Sequence, residues 1–229
     1  MKNKSAILYS AYGKEYAAEA LDFASRTRES INGDIKLILD TDQNLSEKDI
    51  KSSPFDYVNT SRNFEKFKNT DLKYGCKIQS MIDFCKHEDF DRFLFLDTDA
   101  YIVNSKALEV FDLLDHYDIA MSHAHIRHSN LTPQKTRGNM DPLVPSCFPE
   151  FNTGVILFKK SCVGFLQEWL NLYMSSSIIQ EHDQPSFRRV AYFTDLRIAT
   201  LPEEYNFRND LETLSKWHTL YIRHRRPRN

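Results

Sequence analysis

Short apolar runs separated by longer amphipathic stretches set the pattern of this chain. Runs of this length, bounded by polar residues, are typical of buried strands. We predict strands at AILYSAY (6–12), IKLILDT (35–41), FLFLDTD (93–99), DIAMSHAH (118–125) and TGVILFKK (153–160).

The stretches between these runs carry helical periodicity. Apolar residues recur every three or four positions in YAAEALDFASRTRES (16–30) and in LKYGCKIQSMIDFCKH (72–87). KALEVFDLLDHY (106–117) is predicted as a helix with Ser105 as its cap, and another helix is predicted around residues 165–173. Strands that alternate with helices predict an α/β sandwich. In such folds ligands bind beyond the carboxyl ends of the strands.

The length and charge of the chain narrow its class. The 229 residues, 41% of them hydrophobic, suffice for one core, so we expect a single domain over residues 1–229. A net charge of −2 with interspersed acids and bases argues against nucleic acid as a partner. The segment 125–151 is too polar and too rich in Pro and Asn for a regular element, which is typical of a loop that is either functional or disordered. Residues 219–229 are predicted to form a C-terminal strand and a basic tail.

The cysteines and the hydropathy of the chain indicate the cellular compartment of the protein. The four cysteines have neither a CxxC pair nor a disulfide-framework spacing, so we expect them to be reduced: Cys76, Cys85, Cys147 and Cys162. The chain opens without an apolar signal segment, and no apolar run approaches the ~20 residues of a transmembrane helix. These features predict a cytoplasmic protein without a transmembrane segment.

Two aspartates end the apolar run at 93–99. Asp97 and Asp99 are two residues apart in an extended segment, so both carboxylates lie on one face, roughly 6.6 Å apart at the backbone. Carboxylates at the end of a buried strand need a partner, and a divalent cation that also binds a phosphate group would supply one. The alternative is an aspartate that only caps the following turn.

Six sequence motifs follow one another between Ala6 and about Arg225. They are ILYSAYGKEYAAEAL, KYGCKIQSMIDF leading to FLFLDTDAYI, FPEFNTGVILFKKS, EHDQPSF, LPEEYNF and YIRH. In this order the chain resembles the GT-A glycosyltransferases, most closely the glycogenin-like and bacterial galactosyltransferase-like (family 8-type) group. The resemblance implies a Rossmann-like α/β/α sandwich with a mostly parallel central sheet.

The same resemblance implies an activity and its partners. The expected reaction transfers a sugar from a nucleotide-diphosphate sugar, expected to be a UDP-sugar, to a hydroxyl of a glycan, glycolipid or protein acceptor. Acceptor choice is expected to depend on the loop 125–151. The resemblance assigns Asp97, Asp99 and His224 as ligands of Mn²⁺ or Mg²⁺. An imidazole among carboxylates suits Mn²⁺ better than Ca²⁺. A solvated histidine in a basic tail is the alternative for His224.

The remaining positions of the donor site are also implied by the resemblance. Asp183 is placed on sugar hydroxyls and Gln184 beneath the anomeric carbon, a pair that indicates a retaining reaction. Asp183 is alternatively the N-cap of a helix with Pro185 in its first turn, and both roles are compatible. Positions for the nucleotide base, where an aromatic ring stacks on a pyrimidine, are Tyr9, Ser10, Ala11 and Tyr12.

A further set is implied to contact the diphosphate or the sugar: Lys77, Thr98, Asn152, Gly154 and Arg223. The alternatives are a solvated lysine for Lys77, a turn before a strand for Asn152 and Gly154, and a solubilising basic tail for Arg223 and the arginines that follow it. A separate group of histidines has metal-like spacing, although acceptor contacts or plain surface fit it better: His123, His125 and His128.

Other mechanisms and functions fit parts of the sequence. An inverting enzyme would need a carboxylate base, and none stands out among Asp141, Glu150, Glu181, Glu203 and Glu204. A haloacid-dehalogenase-type phosphatase also ends an apolar strand in D-x-D, but its motif lies near the N-terminus and has Thr or Val where this chain has Tyr101. A catalytically silent sugar-nucleotide-binding protein is the third possibility.

Overall fold

The computed structural model describes residues 4–31, 35–67, 72–124, 143–175, 182–208 and 219–224. The strands within these ranges are β1 (Ser5–Ala11), β2 (Lys36–Thr41), β3 (Tyr57–Thr60), β4 (Arg92–Leu96), β5 (Ala100–Ile102), β6 (Ile119–His123), β7 (Phe151–Lys159), β8 (Ile198–Thr200), β9 (Phe207–Arg208) and β10 (Ile222–His224). The α-helices are α1 (Lys14–Ser30), α2 (Glu47–Ser52), α3 (Gly75–Cys85), α4 (Val163–Ser175) and α5 (Gln184–Phe193). Short 3₁₀ helices occupy Arg62–Phe67, Ser105–Asp115, Lys160–Cys162 and Glu203–Tyr205.

Seven strands form the main sheet, in the order β3-β2-β1-β4-β7-β6-β8. The pairs β3–β2, β2–β1, β1–β4 and β6–β8 are parallel, and only β7 runs antiparallel to its neighbours β4 and β6. A mostly parallel central sheet is therefore confirmed. Each of the five predicted strands is present in it.

The reversed direction of β7 shapes the functional edge of the sheet. Leu96 at the end of β4 pairs with Val155, and the backbone N–H of Asp97 donates to the carbonyl of Gly154 at 2.8 Å. The amino-terminal end of β7 therefore lies at the same edge as the carboxyl ends of β1 and β4. Asn152 and Gly154 are placed there beside Asp97.

A second, three-stranded sheet has the order β5-β10-β9. Strand β10 runs antiparallel to β5 and parallel to β9, so that His224 pairs with Ala100 on one side and Arg208 on the other. Asp97, Thr98 and Asp99 connect β4 of the main sheet to β5 of this second sheet. The predicted C-terminal strand is confirmed at Ile222–His224, whereas the basic tail at 225–229 lies outside the described residues.

Two hydrophobic clusters pack on opposite faces of the main sheet. In β4, Phe93 and Phe95 belong to the cluster that contains α3, α4 and α5, and Leu94 and Leu96 belong to the one that contains α1 and the 3₁₀ helix Ser105–Asp115. This alternation follows from the two-residue period of a strand. The three layers confirm the predicted α/β/α sandwich.

The segment after β5 departs from its predicted form. It is a 3₁₀ helix over Ser105–Asp115, and its cap is Asn104, whose side-chain oxygen accepts a hydrogen bond from the backbone N–H of Lys106 at 3.0 Å. The prediction of Ser105 as the cap is therefore wrong by one residue. Asparagine is among the strongest N-cap residues, which accounts for the start of the helix there.

Helix α3 is buried on more than one face. Every one of its residues except Asp83 is buried, because the helix lies between the sheet and α4. Lys77 is therefore enclosed by the protein, whereas the alternative considered from the sequence was a solvated lysine. Among the described helices, none has both the length and the apolar character that are needed to cross a membrane.

Asp40, at the end of β2, is a buried carboxylate away from the candidate site. It is 1% exposed, and its Oδ1 accepts a hydrogen bond from the Asn59 amide at 2.7 Å. Burial raises the pKa of Asp40 to about 6, against the opposing hydrogen bonds of Ser80 and Asn59. Because the pKa of Asp40 in the folded protein exceeds the ordinary value of 3.8, stability from this group is present below that value and is lost as the pH rises through about 6.

We expect Asp40→Asn to remove this pH dependence. From the two pKa values, the free energy of unfolding of the wild type should fall by about 1 kcal/mol between pH 5 and pH 7.5 through Asp40 alone. The variant should lack that fall, which urea denaturation at both pH values measures. Asp89→Asn, at an exposed aspartate, is the control and should retain it. An unchanged pH slope in Asp40→Asn would contradict the expectation.

Candidate active site

Asp97, Asp99 and His224 come together where the two sheets meet. The Nε2 atom of His224 lies 3.1 Å from Oδ1 of Asp99 and 3.7 Å from Oδ2 of Asp97. One ligand atom from each residue lies within 4.8 Å of the others. The expectation that the last strand returns to the carboxyl edge of the sheet and brings His224 beside Asp99 is confirmed. A fully solvated His224 is excluded, because the residue is buried.

This arrangement fits a divalent cation. Two half-buried carboxylates and a buried imidazole converge, and in the absence of a positive charge the two carboxylates repel each other. Carboxylate oxygens are ligands of Mg²⁺ and Mn²⁺, and the added nitrogen ligand favours Mn²⁺ among the two. The donor set therefore matches the cation that the sequence resemblance implies.

Gly154 packs against two of these three residues. A Cβ atom at this position would lie 2.1 Å from Cε1 of His224 and 2.9 Å from Oδ2 of Asp97. Atoms cannot approach so closely, so the close packing of the cluster requires glycine here. The backbone of Gly154 approaches the predicted ligands themselves, whereas the sequence had implied an approach to the donor sugar.

Lys77 connects this cluster to the start of α5. Its ammonium lies 3.3 Å from Oδ1 of Asp97 and 3.0 Å from Oδ2 of Asp183, and it donates to the backbone carbonyl of Thr153 at 3.0 Å. A contact of 3.2 Å to the Thr153 hydroxyl completes its surroundings. Lys77 is buried, so the alternative of a solvated lysine is wrong. Its three N–H groups are already used by protein oxygens.

The charges around Lys77 hold it protonated. Burial alone would lower the pKa of Lys77, but the carboxylates of Asp183 and Asp97 outweigh that effect and raise it above its ordinary value. Burial raises the pKa of Asp97, while Lys77 and His224 act in the opposite direction. Lys77 is therefore charged at neutral pH.

Asp183 stands at the N-cap position of α5, but its side chain does not cap the helix. The backbone is helical at φ −81 and ψ −18, there is no side-chain cap hydrogen bond, and Pro185 lies in the first turn. The carboxylate instead pairs with Lys77. The side-chain cap proposed as the alternative role of Asp183 is therefore wrong, and the first-turn proline is confirmed.

Gln184 presents an unpartnered amide oxygen. The residue is 8% exposed, and within the described part of the chain its Oε1 has no hydrogen-bond partner. A buried carbonyl oxygen without a donor costs free energy. Its position beside Asp183 in the cavity is thus consistent with a role toward a bound ligand.

These residues line one cavity of about 560 Å³. That volume is within the range of small-molecule sites. The predicted site residues that line it are Ser10, Tyr12, Lys77, Asp97, Thr98, Asp99, Asn152, Gly154, Asp183, Gln184 and His224. Three predicted residues do not line it: Tyr9, Ala11 and Arg223.

Tyr9 and Ala11 lie in the core behind the cavity. The Tyr9 ring is fully buried, its hydroxyl donates to the carbonyl of Ala100 at 3.1 Å, and it shares a hydrogen bond with Thr27. A base cannot stack on this ring, so that prediction for Tyr9 is wrong. Alternate residues of β1 point to opposite faces, which leaves Ser10 and Tyr12 on the cavity side.

Arg223 lies on the opposite face of β10 from His224. Ile222 and His224 are the buried residues of this strand, and Arg223 between them is half-buried and does not line the cavity. The prediction that Arg223 contacts the donor is therefore not supported by its position. The arginine that does line the cavity is Arg208, which pairs with His224 from the neighbouring strand β9.

Several lining residues were missed by sequence reasoning. Glu19 of α1 accepts a hydrogen bond from the Thr98 hydroxyl. Burial raises the pKa of Glu19, as do the charges of Asp99 and Asp97, against the hydrogen bond from Thr98. The other missed residues are Tyr16, Lys73, Tyr74, Cys76, Thr153, His182 and Arg208. All of these missed residues except Arg208 lie within the quoted motifs, and Arg208 directly follows LPEEYNF, so their place in or beside a motif was the available signal.

The candidate bases for an inverting reaction do not line the cavity where they are described. Glu150 is buried, and Glu203 and Glu204 lie in a 3₁₀ helix away from it. Asp141 and Glu181 lie outside the described residues, as do His125 and His128. His123 is exposed beside Thr200 and does not line the cavity either.

The predicted acceptor loop 125–151 is described only from residue 143 onward. That part is held by the buried guanidinium of Arg188, which donates to the carbonyls of Pro145 at 2.6 Å and Phe148 at 3.0 Å. It leads directly into β7 and hence to Asn152. The role of the loop in acceptor choice stays a prediction.

Comparison with known proteins gives structural matches only. No protein-family model matches the chain, and no curated protein is a significant match to it. A crystal structure of an active-site mutant of LgtC, with glutamine changed to glutamate, is similar at TM-score 0.70 and 12% identity, over 97% of this chain and 88% of that chain. Galactosyltransferase LgtC in complex with donor and acceptor sugar analogs is similar at TM-score 0.66 and 13% identity, over 97% and 87% of the two chains.

A eukaryotic protein is similar as well. Mouse xyloside xylosyltransferase 1 in its apo form matches at TM-score 0.58 and 13% identity, over 96% of this chain and 97% of that chain. At such low identities the matches concern the fold, and they extend over nearly the whole chain.

Proposed function

We propose that this chain, which has the GT-A glycosyltransferase fold of the structures that it matches, transfers a sugar from a nucleotide-diphosphate sugar to a hydroxyl acceptor. Fold alone does not fix function. The observation that carries the proposal is the convergence of Asp97, Asp99 and His224 with Asp183 and Gln184 on one cavity. The sequence resemblance assigns these five residues to the donor site of a GT-A enzyme.

Asp97, Asp99 and His224 are the residues that would hold Mn²⁺ or Mg²⁺. A divalent cation bound there would supply Lewis-acid stabilisation to the charge of a leaving diphosphate. The ligand atoms already lie within 4.8 Å of one another. Little rearrangement of the protein is then needed for binding.

Lys77 organises the donor side of the site. Its contacts to Asp97 and Asp183 fix both carboxylates relative to each other and balance part of their charge. Asp183 and Gln184 then face the cavity from the start of α5, where the free amide oxygen of Gln184 can accept a hydrogen bond from a sugar hydroxyl or face the reacting carbon. We assign these two residues to the sugar.

Ser10 and Tyr12 are our candidates for the nucleotide end of the donor. They lie at the carboxyl end of β1, and the half-buried Tyr12 ring lines the cavity. A flat aromatic ring suits a pyrimidine base, and the sequence resemblance favours uridine. A UDP-sugar is therefore the proposed donor.

Retention of anomeric configuration is the proposed stereochemistry, since the Asp183–Gln184 pair resembles that of retaining members of the group. An active-site glutamine is also the substituted residue in the LgtC mutant structure that this chain resembles in fold. Glu19 is the described glutamate that lines the cavity, so it is the candidate base if the reaction inverts.

The proposal is tested by thermal shift with a panel of nucleotide sugars, each with and without Mn²⁺. A cognate donor at about 100 times its dissociation constant should add about 2.7 kcal/mol of stability. We expect a UDP-sugar with Mn²⁺ to give the largest shift, and Asp99→Asn to remove the effect of the metal. Asp89→Asn, at an exposed aspartate, is the matched control.

Product analysis on the same samples separates the remaining alternatives. Release of nucleoside diphosphate distinguishes a transferase from a silent binding protein, and release of inorganic phosphate would indicate a phosphatase. Product NMR distinguishes retention from inversion. A donor shift that is equal with and without metal would contradict the metal-dependent mechanism.

A further inference from the structure

Asn206 contacts the edge of the His224 ring that faces away from the carboxylates. Its Oδ1 lies 2.9 Å from Nδ1 of His224, whereas Nε2 of the same ring faces Asp97 and Asp99. Both residues are almost fully buried, at 2% exposed for Asn206 and 6% for His224. The imidazole is thus held between an amide and the two carboxylates.

This contact determines where the imidazole carries its proton. A neutral imidazole has one N–H donor and one lone pair, and a carbonyl oxygen only accepts. With Oδ1 as the partner, Nδ1 carries the proton and the lone pair lies on Nε2. That lone pair faces Oδ1 of Asp99 at 3.1 Å. Two electron-rich atoms at this distance repel each other, and a proton or a metal ion between them removes that repulsion.

We propose that Asn206 is the positioning residue of the cation site: it fixes His224 in the tautomer and orientation in which Nε2 can bind a metal. The inference rests on the proposed function, because it concerns the same metal centre. A hydrogen bond from the second ring nitrogen of a histidine ligand typically contributes 10–100-fold, as an order of magnitude, to metal affinity.

The surroundings of Asn206 support this role. Its backbone N–H donates to the carbonyl of Glu203 at 3.0 Å, which fixes the residue at the end of a 3₁₀ turn, directly before β9. In the described part of the chain, Nδ2 of its side chain has no hydrogen-bond partner. An apolar side chain of similar size would avoid that cost. The contact with His224 is the compensating interaction that the structure provides.

The Cε1 edge of the imidazole, between its two nitrogens, is held by backbone. The carbon between the two ring nitrogens lies so near Gly154 that a Cβ there would be 2.1 Å away. The ring therefore has little freedom to move toward β7. Packing restricts the position of the ring, and the Asn206 hydrogen bond selects its tautomer.

The test is a Mn²⁺ titration of the full chain, followed by the EPR signal of free Mn²⁺, for wild type, Asn206→Leu and Asn206→Asp. Asn206→Leu keeps the side-chain volume but lacks the acceptor, and should weaken Mn²⁺ binding roughly 10–100-fold. Asn206→Asp keeps an oxygen acceptor and should bind at least as tightly as wild type. Asn59→Ala, which removes an amide that bonds to Asp40 in β2, is the control and should not change the affinity.

A second background separates positioning from packing. In His224→Ala, Asn206→Leu should cause no further loss of Mn²⁺ affinity, because the ring that Asn206 orients is absent. An equal loss in both backgrounds would overturn the inference, as would equal affinities of wild type and Asn206→Leu. A wild type that binds no Mn²⁺ would overturn the metal centre of the proposed function together with this inference.

Discussion

Gly154→Ala is expected to weaken Mn²⁺ binding strongly while the chain still folds. The added methyl group would lie 2.1 Å from Cε1 and 2.7 Å from Nδ1 of His224, and 2.9 Å from Oδ2 of Asp97. Two of the three predicted ligands must move apart to admit it. Loss of their arrangement should reduce the affinity for Mn²⁺ by at least about 100-fold, the upper range for disturbance of ligand orientation.

The same substitution should destabilise the fold only moderately. Overpacking of a buried site typically costs about 1–3 kcal/mol, which urea denaturation of the metal-free protein would measure. Gly154 does not have a positive φ, so backbone strain adds nothing to this cost. Mn²⁺ binding by Gly154→Ala with wild-type affinity would show that His224 is not part of the cation site.

Gly164→Ala is the matched control for this prediction. A Cβ at Gly164 meets no atom within 4 Å, and the residue lies in the first turn of α4. Alanine is favoured over glycine in helices by about 0.5–1 kcal/mol. This variant should therefore be slightly more stable than wild type and bind Mn²⁺ equally well.

Lys77→Met is expected to cause the largest loss of stability among single substitutions at the site. The change keeps the apolar stem but removes the charge that pairs with Asp97 and Asp183, and it leaves the buried Asp183 carboxylate without a cation. Breaking one side of a buried ion pair typically costs about 3–5 kcal/mol. The raised pKa of Lys77 means that its stabilising charge is present at all pH values below its ordinary pKa, so the loss should be visible at neutral pH.

The cost should depend on the charge of Asp183. In Lys77→Met combined with Asp183→Asn, the unpaired charge is absent, and we expect part of the lost free energy of unfolding to return. Lys73→Met, at an exposed lysine one turn earlier, is the control and should change stability by less than about 0.5 kcal/mol. Equal effects of Lys73→Met and Lys77→Met would mean that the buried ion pair contributes nothing.

The parts of the fold that could be predicted are those that the local pattern of apolar and polar residues determines. The apolar runs around β1, β4 and β7 are continuous and clearly bounded, so their strands follow from periodicity. The position of Asp97 and Asp99 at a functional edge follows in turn. The direction of β7 has no local signature, because parallel and antiparallel strands can share the same apolar run. The neighbourhood of Asp97 and Gly154 therefore required the structure.

The site residues that were wrongly predicted or missed depend on which face of a strand a side chain occupies and on contacts between residues far apart in the chain. Tyr9 lies near the end of β1 and Tyr12 directly follows that strand, and only the structure shows that Tyr9 faces the core beside α1 whereas Tyr12 faces the cavity. Glu19 meets Thr98 across 79 positions of the chain, and Asn206 meets His224 across 18. Neither spacing is periodic. For the same reason Arg223 was predicted to line the cavity and Arg208 was missed, because strand pairing decides which arginine faces the cavity.

The candidate cation ligands come from two segments of the chain, the β4–β5 connection and strand β10, so cation affinity is a measure of local folding. In the described part of the chain, β10 comprises Ile222–His224 and pairs with β5 and β9, so few backbone hydrogen bonds oppose its local opening. In molecules whose β10 is undocked, His224 is absent from the cluster. The apparent affinity for the cation is then reduced in proportion to the fraction of molecules in which β10 is docked. By the same linkage, a bound cation raises that fraction. A bound cation would therefore hold β10 in the small sheet, beside the β4–β5 connection.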